Sequence, residues 1–151
     1  MNESPAPKEP AHDAEDFTDM LSELRVLLPG AQLLNVFLIT LPFSSGFKQI
    51  VQAEKWVFMG AFVFSIISLI LFTAPAVQHR LMRPLLNRRK FKHFVTWQML
   101  AGALALSIAL ILGAYLVISE VLGHVAGALV AGFTAVLVTV LWWALPRAMK
   151  C

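Results

Sequence analysis

Any chemistry in this chain would have to come from four histidines, nine carboxylates and a lone thiol, and their spacing excludes most of it. His12, His79, His93 and His124 include no i, i+4 pair that could grip a metal from one helix face. His79 and His93 close off a basic segment with no carboxylate or thiolate beside them, so neither a metal nor a haem site is expected there. His124 reads as an interface residue. Cys151 has no second thiol to pair with, which excludes an internal disulfide and a thiolate metal site. No serine or cysteine stands in a motif with a base, and no glycine-rich phosphate loop is present. No catalytic, cofactor-binding or metal-ligating residue is assigned, and enzymatic activity is not expected.

The carboxylates are informative by position. Glu23 lies at one boundary of the apolar runs, Glu54 and Glu120 lie at the other, and the remaining acids precede them all. Proton- and sodium-coupled carriers need an ionisable group part-way across the bilayer, where such a group is too costly to keep without a purpose. None is placed at mid-depth here.

The elements that must position these groups are membrane spans. At 58% hydrophobic and 14% charged residues, the chain is far more apolar than a soluble domain of about 25% charge. An all-α integral membrane four-helix bundle is expected, with an N-terminal amphipathic interfacial helix. Residues 1–14 carry three prolines and no apolar cluster, so a disordered tail is expected there, followed by one transmembrane domain over 15–151. From Asp16, which can cap a helix, Phe17, Met20, Leu21, Leu24 and Leu28 recur at three- and four-residue intervals. This helix is expected to lie along the interface until Pro29 and Gly30 redirect it. One continuous helix running into the membrane is the alternative. Spans follow at about 31–47, 56–77, 94–118 and 121–145, with only Ser119 and Glu120 joining the last two. The first apolar run follows an acidic tail rather than a basic n-region, so the first span is expected to serve as the targeting signal.

Charge orients the bundle. Arg80, Arg83, Arg88, Arg89, Lys90 and Lys92 crowd the segment 75–93 without an acid among them. With Lys8, Arg25, Arg147 and Lys150 they put ten of the twelve cations on one side, leaving Lys48 and Lys55 opposite. Short loops of that kind are kept cytoplasmic, so both termini are expected there, in the cytoplasmic (inner) membrane. Anionic lipid headgroups are the expected counter-charge, and nucleic acid is not expected, because the cations sit in a loop between spans. Ala101, Ala105, Ala109 and Gly113 on span 3, and Gly123, Gly127, Ala131 and Ala135 on span 4, repeat every four residues as seams for close helix approach. The two seams are expected to face each other, a homodimer contact being the alternative.

Two groupings of polar residues follow. If spans 1 and 2 are neighbours, Glu23, Arg25, Gln32, His79 and Arg80 share a depth at the cytoplasmic face. Glu23 would then pair with Arg80, leaving Arg25 and His79 for a lipid phosphate or a partner protein. Gln32, Asn35, Thr40 and Ser44 make span 1 unusually polar and would line a path near a Pro42 kink if several copies assembled. The first grouping suits a non-enzymatic accessory or interaction protein. The second suits a small oligomeric channel or carrier for an ion or small solute.

The motifs Glu23-Leu-Arg25-Val26, Gly30-x-Gln32, Phe37-Leu-x-Thr40-Leu-Pro42-Phe43 and Ala74-Pro75-Ala-Val-x-His79-Arg80 occur in that order. Over roughly residues 20–93 the chain resembles a family of small, largely actinobacterial four-span membrane proteins of unknown function. It departs from that pattern at Leu28-Pro29, where the family tends to have a polar pair. The resemblance implies a bacterial multi-pass protein and no particular activity.

Overall fold

The computed structural model describes residues 9–48, 51–81 and 88–148, with side chains described for 22, 24–47, 51–78, 93–145 and 147–148. Four long helices follow one another: α1 (Glu9–Thr40), α2 (Gln52–Leu81), α3 (Arg88–Leu122) and α4 (His124–Val138). No strand occurs among the described residues. Stretches long and apolar enough to cross a membrane run over Leu24–Phe43, Gln52–Gln78, His93–Leu122 and His124–Ala144. A helix satisfies every backbone group along itself, which hydrocarbon demands. The fold is an all-α four-helix membrane bundle.

In α1 the alternative of a continuous helix is the one adopted. The helix starts at Glu9, within the tail expected over 1–14, and carries Pro29 in its interior. No break occurs at Pro29 because the residues on both sides belong to one stripe. Leu24 and Ala31 are buried together with Phe72 and Leu106, and Leu27, Leu28 and Leu34 pack against that cluster. The bond forfeited at Pro29 is offset by burial against α2 and α3. The apolar stretch consequently begins at Leu24 and ends near Phe43, earlier at both ends than the span expected over 31–47.

Beyond Thr40 the chain tightens into 3₁₀ turns at Leu41–Phe43, with Pro42 in the first turn, and at Gly46–Lys48. Phe47 then reaches Phe58 edge-on with ring centroids 4.9 Å apart, and Phe58 stacks on Phe62. Leu38, Phe58, Ala61 and Leu116 form the second core cluster at this end. The end holding these turns and the α3–α4 link is called the hinge end below.

The seam of α2 sets the packing. Its buried residues are Glu54, Phe58, Ala61, Ser65, Ser68, Phe72 and Pro75, spaced alternately by four and three. That 3.5-residue repeat is the spacing of knobs-into-holes helix pairs. Its small and polar members let α1 and α3 approach, while Ile66, Ile67 and Ile70 on other faces are exposed to what would be lipid. Gly102 of α3 completes the fit: a methyl there would lie 2.8 Å from Phe72 Cε1.

The α3–α4 link is shorter than the expected Ser119-Glu120 connection and lies further on. α3 runs to Leu122, and Gly123 alone turns the chain, at φ +89°, a conformation that glycine adopts without strain. α4 folds back onto α3, where a methyl on Gly127 would lie 3.0 Å from the Ser119 backbone nitrogen. Close backbone approach at Gly127 joins the α4 stripe to α3, and Ala105, Ala109 and Gly113 of the α3 stripe are buried. Gly113 opens towards α1, with Leu34 Cδ1 3.9 Å from where its methyl would be, and Gly123 is exposed. Of α4 itself only Gly127 is buried, so it lies against α3 as an outer layer on the α1–α2–α3 core. It continues through a π-helical stretch, Thr139–Ala144, in which Leu145 N–H donates to Val140 O, into α5 (Leu145–Ala148). Pro146 lacks the N–H that an α-helical register would require at that point, which favours the widened turn.

Candidate functional site

Of the groups expected at the basic end, Arg25 and Gln32 are exposed. The side chains of Glu23, His79 and Arg80 lie outside the described residues, as do the side chains of Arg83, Arg88, Arg89, Lys90 and Lys92. The Glu23–Arg80 pair is therefore not placed. α1 and α2 do pack together, as that grouping requires.

The four polar residues of span 1 do not share one face. Asn35 is buried, and its Nδ2 donates to Ala31 O of its own helix at 3.0 Å and to Ser65 O of α2 at 3.2 Å. Gln32, Thr40 and Ser44 are exposed on the single chain. The hydroxyls of Thr40 and Ser44 donate back to Phe37 O and Leu41 O. Asn35 thus acts as an interhelical tie, a use of amide side chains common between membrane helices.

Beside that tie stand Ser65 and Ser68, both fully buried. Thr73, Ser107, Thr134 and Thr139 each return their hydroxyl to a carbonyl one turn back. Ser65 Oγ and Ser68 Oγ do not, and neither has a hydrogen-bond partner. They lie on the α2 seam with Asn35 across from them, which gives the middle of the bundle its one polar layer among the described residues.

A more compact constellation forms at the hinge end, unanticipated as a group. Glu54, in the first turn of α2, has a side chain only 6% exposed. Ser119 Oγ donates to Glu54 Oε1 at 3.2 Å and also lies 3.1 Å from Leu116 O. The Val51 N–H points at Oε2 from 3.4 Å. His124, the first residue of α4 and 64% exposed, places Nδ1 3.5 Å from Glu54 Oε1. The Tyr115 hydroxyl lies 3.5 Å from the same nitrogen. Three helices thereby meet on one buried carboxylate.

Each member was visible in the sequence as a polar residue near a span end, but the burial of Glu54 was not. The available signal was register: Glu54 falls on the same 3.5-residue seam as Ser65 and Ser68. No group of three His, Cys, Asp or Glu residues able to hold a metal is found among the described residues.

Comparison with known proteins adds a family and no activity. No curated protein and no solved structure matches the chain. The match to a family of unknown function, DUF6328, runs over residues 9–146, well past the motif-bearing stretch 20–93, and so takes in all four helices. A chain matched over nearly its whole length is a member: this four-span protein belongs to DUF6328.

Proposed function

We propose that this is a non-enzymatic accessory or interaction protein of the bacterial cytoplasmic membrane, with both termini cytoplasmic and a basic face that binds anionic lipid headgroups or a protein partner. The observation that carries this reading is the six cations of the segment 75–93, unbalanced by any acid: Arg80 at the end of α2, Arg83 after it, and Arg88, Arg89, Lys90 and Lys92 in the first turns of α3. A polybasic segment beside a span gains about 1 kcal/mol per Lys or Arg from an anionic leaflet. The interior supports the same reading, because Asn35 and Glu54 spend their polar atoms on neighbouring helices and loops.

The test is purification in a lipid-preserving polymer, with mass spectrometry of whatever stays bound in fixed proportion. A stoichiometric protein partner or enriched anionic lipid is the expected result. Changing Arg83, Arg88, Arg89 and Lys90 to Gln should lower that retention at least tenfold, given ~1 kcal/mol per cation. Retention unaffected by all four changes would remove the basis of the proposal.

A small oligomeric channel or carrier is the second reading, supported by the exposed Gln32 and Thr40 on α1 and the exposed Ser44 just beyond its end. Ion flux in proteoliposomes that falls when Gln32 and Asn35 become Leu would favour it. Flux that is absent, or indifferent to both changes, counts against it.

A further inference from the structure

We propose that Glu54, Ser119 and His124 form a latch that fastens the start of α4 to α2 and α3, and that proton binding to His124 closes it. The case rests on how little else ties α4, packed along α3, to α2. Among its described residues only Gly127 is buried, and its link to α3 is the single residue Gly123 in a left-handed conformation. α4 contributes one side chain that contacts α2 through a charged group, and that is His124.

The carboxylate on the other side is fixed before α4 arrives. Glu54 is held at Oε1 by the Ser119 hydroxyl of α3 and faces the Val51 amide at Oε2. A buried anion satisfied only by neutral donors remains poorly compensated, so a cation at its open edge is strongly favoured. His124 stands at that edge, with most of its ring open to proton exchange. The 3.5 Å from Nδ1 to Oε1 is longer than the ~2.8 Å of a charge-assisted hydrogen bond, so an imidazolium has distance left to close. Neutral imidazole offers only a weak dipole to the same oxygen.

The remaining charged or titratable groups at this end are Lys55 on α2, and Tyr115 and Glu120 on α3. Tyr115, 3.5 Å from Nδ1, orients the ring but brings no charge while its phenol is protonated. Lys48, after the 3₁₀ turns, is the other cation on this side, and its side chain lies outside the described residues. Imidazole is the side chain that ordinarily changes charge across pH 5–8, so acidification of the compartment at the hinge end is the signal such a latch would read.

The sign follows from the pair. Attraction needs ionised Glu54 and protonated His124, so α4 is held while His124 carries the proton and released when the proton leaves.

Spin labels at Met59→Cys on α2 and Leu129→Cys on α4, both exposed positions, with Cys151→Ser removing the native thiol, report the α2–α4 distance by pulsed electron resonance. The expected result is a distribution about twice as narrow at pH 5 as at pH 8. His124→Lys, a permanent cation, should keep it narrow at both, and His124→Ala should keep it broad at both. Glu54→Gln, nearly the same shape without the charge, should abolish the response while retaining the fold. A width that does not change with pH, or that changes equally in His124→Ala, overturns the proposal.

Discussion

At the scale of single residues, the chain separates polar groups that tie helices from polar groups that merely sit between them. Asn35 ties, but the Ser65 carbonyl it reaches also belongs to an α-helix with its own ladder bond, so the loss on removal is modest. Asn35→Leu should cost about 0.6 kcal/mol and at most ~1.7, read as a small fall in thermal midpoint in one detergent. Ser65 and Ser68 behave oppositely. Their buried hydroxyls have no partner, so Ser65→Ala and Ser68→Ala should leave the midpoint unchanged or raise it. A clear loss of stability in either would mean that the hydroxyl has work at that position. Glu54 stands apart, because its carboxylate organises donors from two other segments.

At the scale of elements, the α3–α4 contact is a contact of backbones. A methyl on Gly127 would meet the nitrogen, Cα and Cβ of Ser119 within 3.1 Å, and main chain cannot step aside as a flexible side-chain tip does. Gly127→Ala should therefore destabilise by ~1–3 kcal/mol, whereas Gly132→Ala, with nothing within 4 Å, should be silent. Equal effects at the two glycines would show that helix propensity, and not close approach, is being measured. The α2 seam gives a parallel contrast. Ser65→Leu forces a large side chain between α1 and α2 and should cost ~1–3 kcal/mol, while Ile66→Leu on the exposed side should cost little.

At the scale of the whole molecule, the pattern is a three-helix core with a fourth helix laid on one side. Apolar residues such as Val125, Leu129, Phe133 and Val136 on α4 are exposed in the single chain and suited to lipid. The proposed orientation is testable without new structure. Cys151 is the chain's single cysteine, so an impermeant maleimide should leave it unlabelled in intact cells and label it after permeabilisation. Labelling in intact cells would invert the bundle, and would place the Glu54–His124 pair on the cytoplasmic side.

The sequence by itself determined the four helices and the apolar stretches, because hydrocarbon leaves the backbone no alternative to helix and a bilayer-spanning helix needs a run of about 20 apolar residues. It also determined where charge accumulates, a property of composition that folding does not alter. What only the tertiary structure decided is which side chains turn inward. Each span is apolar on most of its faces, so hydropathy alone does not say which face packs: the α2 seam is marked only by Glu54, Ser65, Ser68 and Pro75, and Pro29 looks like a break until Leu24 and Ala31 are seen on one packed stripe. The hinge-end group was illegible for the same reason. Glu54, Ser119 and His124 are remote from one another or separated by a turn, and the burial of that carboxylate exists only once α3 and α4 close over the first turn of α2.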